Sequence, residues 1–191
     1  MNRLLPLALI LLLLIAFRVV GSMFPETIPN FQPLAALFFC GAFIAKGWRA
    51  WAIPLAAWLI TYPVPALLSA NPTWMGAPTL IGTALGFAAT FFIGKALNQR
   101  GLGTLLLGSF AAALAFHVIT NGMAWALSPM YPKNLTGIVQ SLWTGPAASP
   151  VPSWVFLRNM AAANLLFTAI FLSARIALPV RLTQAEPQPA R

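Results

Sequence analysis

The side chains that could do chemistry in this sequence are few, and most stand alone inside apolar stretches. His117 and Asn121 are four residues apart with Thr120 beside them, so on a helix they share a face. A polar group in hydrocarbon costs free energy and calls for a partner or a task. Two readings follow: an interhelical hydrogen-bond cluster that fixes packing, or a surface that faces a ligand. Arg158 and Asn159 open the last apolar segment. An arginine there either snorkels to the headgroups or, with few acids nearby, holds an anionic group through its planar fork. Arg18 poses the same choice, with Glu26 as a candidate structural partner. Cys40, inside an apolar run, acts as a small hydrophobic residue or as a soft ligand to a metal-containing solute such as a corrin.

What is missing narrows the chemistry further. Glu26 and Glu186 are the only acidic residues, and neither falls within an apolar stretch, where proton-coupled carriers hold a protonatable carboxylate. Gly94-Lys95 lacks both the upstream glycine and the following Ser or Thr of a phosphate-binding loop. His117 is the sole histidine and Cys40 the sole cysteine, so neither a metal-ligand spacing nor an internal disulfide arises. No paired carboxylates and no nucleophile motif occur. The reading is a non-enzyme with no catalytic residue, no metal and no cofactor. The net charge of +9 comes from basic residues scattered singly, without the stripe that nucleic acid requires, so no nucleic-acid partner is expected.

The elements that position these residues follow from composition. Of 191 residues, 60% are hydrophobic and 7% charged, whereas a soluble domain carries charge on roughly a quarter. The partner for such a surface is a lipid bilayer. A crossing takes about 20 residues for a core of roughly 30 Å. Apolar runs at 4–23, 30–45, 51–68, 78–97, 105–127 and 154–178 predict an all-α polytopic membrane protein of about six transmembrane helices. These form a single domain, 1–180, followed by a disordered cytoplasmic tail, 181–191, that lacks apolar periodicity. The first run resembles a secretory signal but closes on no small-x-small site, so it is read as a retained helix. Asn30 is a suitable N-cap, with Pro33 tolerated in the first turn, which starts the second span there. The third span holds Pro54, Pro63 and Pro65 and should be kinked or broken in its outer half. Gly82 with Gly86, and Gly41 with Ala45, make small-residue faces for close helix approach, the neighbour being another helix of this chain or a separate subunit.

The longest connection, 128–153, places Leu135, Ile138, Val139, Leu142 and Trp143 on one helical face. Asn134, Thr136, Gly137, Gln140 and Ser141 take the other. This is an amphipathic helix lying in the membrane interface or a lid over the mouth of the bundle. Pro146, Pro150 and Pro152 stiffen the return. Arg3, Lys46, Arg49, Lys95, Arg100, Arg175, Arg181 and Arg191 fall on one side of the membrane, and Arg18, Lys133 and Arg158 on the other. The positive-inside rule then gives an N-in/C-in arrangement in a bacterial cytoplasmic (inner) membrane. The amphipathic helix, between the fifth and sixth spans, comes out on the outer face. Trp48 and Trp51 mark the inner interface, and Trp74, Trp125, Trp143 and Trp154 the outer.

Arg18, the run Pro29-Asn30-Phe31-Gln32-Pro33-Leu34-Ala35-Ala36-Leu37-Phe38, and Tyr131-Pro132-Lys133 with Gly137 form a recognisable pattern. Phe156-Leu157-Arg158-Asn159 and Asn164-Leu165-Leu166-Phe167-Thr168 extend it along nearly the whole chain. It resembles an uncharacterised family of small bacterial membrane proteins described as transport proteins. That family is remotely similar in size and layout to the substrate-binding S components of energy-coupling-factor transporters. The resemblance implies a solute pocket opening outwards, closed by loops, with import driven by a separate membrane coupling subunit and its ATPases. The function expected is a membrane transport subunit that binds a small solute from the outer face. Its pocket candidates are Arg18, Asn30, His117, Asn121, Gln140, Trp143, Arg158 and Asn159. The alternative is a structural or assembly protein of the envelope, in which the same side chains only join helices. A cavity below the Asn134–Trp143 helix separates the two.

Overall fold

The computed structural model describes residues 4–24, 26–69, 76–147 and 149–177. The expectations for Arg3, Trp74 and the tail 181–191 lie outside them. The elements among these residues are all helices: α1 Leu4–Met23, α2 Leu34–Ile44, α3 Arg49–Thr61, α4 Val64–Ser69, α5 Ala77–Ala96, α6 Leu102–Leu127, α7 Leu135–Leu142 and α8 Ser153–Ala177.

The centre of the bundle is α2. Its 11 residues are apolar on every side, and a helix of that kind belongs inside protein. Leu34, Ala36, Phe39 and Cys40 are fully buried, enclosed by α3, α5 and α8. At 1.5 Å per residue it is only about 16 Å long, short of a bilayer core. It also starts later than its sequence suggests. Asn30 does not cap the helix but turns the chain at φ 56°, a left-handed conformation that asparagine tolerates better than most residues. Pro33 takes the cap position, where its missing N–H leaves nothing unsatisfied.

Small residues bring the other helices onto this core. The Gly94 face of α5 receives the Phe39 carbonyl, and that of Gly41 receives the Ala50 carbonyl of α3. On α5, a Cβ at Gly82 would stand 3.2 Å from the Met123 Cβ, and one at Gly86 would stand 2.7 Å from the Phe116 ring. The neighbour for that glycine pair is therefore α6 of the same chain. Phe87 then joins three elements at one point: it stacks on Phe38 at 4.4 Å and meets Phe116 at 4.9 Å and Trp58 at 5.3 Å.

The proline-rich third segment is interrupted where a donor is lost. It runs as α3, breaks at Tyr62 and Pro63, and resumes as α4. Pro63 cannot donate, and its ring crowds the preceding turn. Pro54 remains inside α3. α1 packs along both halves.

Three helices among the described residues are long and apolar enough to cross a membrane, within Thr79–Ala96, Leu102–Leu127 and Ser153–Ser173. Their outer sides expose Leu85, Phe92, Leu107, Phe110, Val118, Leu166 and Ile170, a surface that water would not favour. Length and surface together are those of a membrane protein.

The short helix α7 is capped by Asn134, whose Oδ1 accepts from the Gly137 N–H at 3.0 Å. Its apolar row points away from the bundle: Leu135, Val139 and Trp143 are 80%, 63% and 59% exposed. Gly137 and Ser141, on the opposite side, are buried. Gly137 lies directly against the Pro132 carbonyl. Nearby, burial pushes the Tyr131 phenol above its usual range.

Candidate functional site

Between α1, α3, α5, α6 and α8 lies a chamber of about 280 Å³. Each wall comes from a local feature already described. The left-handed turn at Asn30 carries Asn30 and Gln32 to its rim. The break after α3 leaves Tyr62 one helical turn beyond Trp58, and both line it. Thr79, Thr83 and Phe87 project from one face of α5, and Phe116, His117, Thr120 and Asn121 from α6. Pro146, Ser149 and Val151 of the connection after α7 close one side, with Ser153, Phe156 and Met160 of α8. Arg18 stands at the edge. A second cavity, of about 270 Å³, shares Arg18, Asn30, Gln32, Ser149, Val151 and Phe156 with the first. It continues outward past Phe17, Ser22 and Glu26.

Among the described residues, Arg18 is the one side chain in the chamber lining with a permanent charge, and no carboxylate faces it there. Two donors in the lining are unspent. The Nε atoms of Arg18 and Trp58 are both buried with no hydrogen-bond partner. Tyr62 is an electrostatic neighbour of Arg18 and an edge-on ring neighbour of Trp58 at 5.8 Å.

His117 is engaged on both nitrogens. Nε2 lies 2.9 Å from the Leu142 carbonyl, which can only accept, so Nε2 carries the proton. Nδ1 then accepts from Asn121 Nδ2 at 3.1 Å, and that amide also donates to the His117 carbonyl at 2.9 Å. The ring is neutral in this arrangement.

Of the residues singled out from the sequence, Arg18, Asn30, His117 and Asn121 come together around the chamber. The other four stand outside that lining. Gln140 donates to the Gly145 carbonyl at 3.1 Å, closing the C-terminal end of α7. Trp143 stacks on Trp154, with ring centroids 6.3 Å apart. Arg158 is exposed, lies 5.3 Å from the Trp154 ring centroid and donates to Asn159 Oδ1. Asn159 is buried and donates to the Pro29 carbonyl at 3.1 Å, which positions the turn that presents Asn30. Cys40 faces Thr168 Oγ1 across 3.9 Å in the core and is absent from both cavity linings.

Gln32, Trp58, Tyr62, Thr79 and Thr83 line the chamber without having been singled out. A signal existed for two pairs, since Thr79 and Thr83, like Trp58 and Tyr62, are spaced for one helical face. Nothing local in the sequence indicated that these faces converge.

No curated protein and no solved structure matches this chain. A family match spans residues 1–185, and by it the chain belongs to DUF6580, a family of unknown function.

Proposed function

We propose that this protein is a membrane transport subunit that takes a small solute from the outer face of a bacterial inner membrane into the chamber between α1, α3, α5, α6 and α8. The observation that carries this reading is the chamber itself. Six spans are counted by adding α1, α2 and the broken α3–α4 pair to the three long helices, with the termini inside. A bundle that only joins helices gains by packing such a volume solid, because empty space forfeits dispersion contacts. This one instead keeps about 280 Å³ open and rings it with Asn30, Gln32, Tyr62, Thr79, Thr83 and Asn121. A mostly apolar cavity with a few convergent polar groups is the usual form of a small-ligand site. The resemblance to substrate-binding S components implies that a separate coupling subunit with ATPases supplies the energy for import, and the lack of a phosphate-binding loop in the sequence agrees with that. The outward apolar row of α7 then rests in the lipid interface, and its polar side covers the bundle.

One observation favours the scaffold reading: Asn121 and His117 satisfy each other within α6, and His117 joins that helix to α7 through the Leu142 carbonyl. The test is native mass spectrometry of full-length protein released from nanodiscs, comparing the wild type with Thr83→Trp, which fills the chamber. A compound retained by the wild type and lost from a normally folded variant is the expected result. An empty wild type, with no solute-uptake defect on gene deletion, would leave the scaffold.

A further inference from the structure

The unspent groups in the chamber go further and specify what kind of solute fits. We infer that the ligand is a small organic monoanion, a carboxylate on an apolar or aromatic body; this rests on the transport-subunit reading above.

The lining is short of acceptors in a specific way. Arg18 Nε and Trp58 Nε1 are buried donors without partners, and both residues line the same chamber. Each unmet buried donor is unfavourable, more so where the group is charged. Water can fill a hydrogen bond but cannot balance the guanidinium, and a buried charge needs a counter-charge. The chain has two acidic side chains in all, Glu26 and Glu186. Glu26 lines the outer cavity, as Arg18 also does, but it is exposed, makes no ion pair with Arg18 and is absent from the chamber lining. The missing counter-ion must therefore arrive with the ligand.

The same count fixes the charge. One permanent cation matches one negative charge, while a phosphate dianion would bring a second that nothing in the lining neutralises. A cationic solute would meet Arg18 with no carboxylate to receive it. The same lining includes Phe87, Phe116, Phe156 and Met160, which suits a flat apolar body. Arg18 is suited to the head because its planar fork binds carboxylate through two parallel bonds.

The test uses full-length protein in nanodiscs of zwitterionic lipid and three probes of one shape: phenylacetate, phenylacetamide and 2-phenylethylamine. Calorimetry on the wild type should show phenylacetate binding about tenfold or more tighter than the amide, with the amine weakest. Arg18→Gln should abolish the preference for the acid. Arg18→Lys should restore it in part, since it keeps the charge and loses the Nε donor. Trp58→Phe should weaken phenylacetate without changing the order of the probes. Amine binding equal to acid binding, or an acid preference that survives Arg18→Gln, would overturn the inference. If none of the probes binds, the compound retained in native mass spectrometry decides. A soluble carboxylate lost in Arg18→Gln upholds the inference. A cation, a neutral molecule or a phospholipid overturns it while leaving a solute-binding subunit. A protein that retains nothing and binds no probe overturns both.

Discussion

His117 Nε2 reaches the carbonyl oxygen of Leu142, 2.9 Å away and 25 residues further along the chain. That carbonyl belongs to the last turn of α7, where helical carbonyls have no partner within the helix. A buried side chain of α6 thus fastens the free end of the surface helix, and Asn121 holds the ring in the tautomer that can do so. This contact joins the C-terminal end of α7 to α6.

His117→Ala removes the donor and leaves the Leu142 carbonyl unmatched. The expected loss is about 1–3 kcal/mol of stability, read by thermal unfolding in detergent. Hydrogen exchange should accelerate over 135–145 and stay unchanged in α2. Equal protection of α7 in the variant would show that the contact does not hold it.

Gly137 has no room for a side chain, because a Cβ there would run into the Pro132 carbonyl. Gly137→Ala should cost on the order of 1–3 kcal/mol through the backbone shift it forces. Gly103, with nothing within 4 Å of its Cβ position, is the control. Gly103→Ala should be neutral or gain up to about 1 kcal/mol from helix propensity. The two variants changing stability by the same amount would refute the close contact.

Asn30 sits at φ 56°, so the substitutions there have opposite outcomes. Asn30→Ala should lose roughly 1 kcal/mol from the left-handed backbone alone, whereas Asn30→Gly should fold as well as the wild type. If the polar amide matters to a ligand, the glycine variant keeps its melting temperature and loses retention of the bound compound. That separation of the two readouts is the measurement to make.

Asn159 reaches from α8 to the Pro29 carbonyl, 130 positions earlier in the chain. Asn159→Leu keeps the bulk and removes the donor, leaving a buried carbonyl unmet at about 1–3 kcal/mol. Limited proteolysis should then cut within 24–33 faster than in the wild type, with α5 and α6 unaffected. Unchanged cleavage would mean that the turn is held by its own prolines.

Much of the architecture was legible in the residues. The three long apolar helices, the break near Pro63 and the amphipathic face of α7 all follow from local periodicity or from a missing donor. Where reading went astray, a long-range fact decided. Asn30 looks like a helix cap because asparagine often is one, yet here Asn159 draws the Pro29 carbonyl towards α8 and the chain turns left before α2 begins. Arg158 and Asn159 look alike from the sequence, as polar residues opening a span. Only packing separates them into an exposed cation on Trp154 and a buried anchor.

What the sequence by itself determined was the solvent: with so little charge, the outside of this protein is apolar, and its backbone must bond within helices. It also determined which few polar groups exist to be used. Which of them share a space was decided by tertiary structure, through α2. That helix is short for a span and apolar on every side, so it is buried in the middle, in contact with α3, α5 and α8. Periodicity reports the face a residue takes on its own helix. It carries no information about which faces meet, and the chamber around Arg18, Trp58 and Tyr62 exists only where they do.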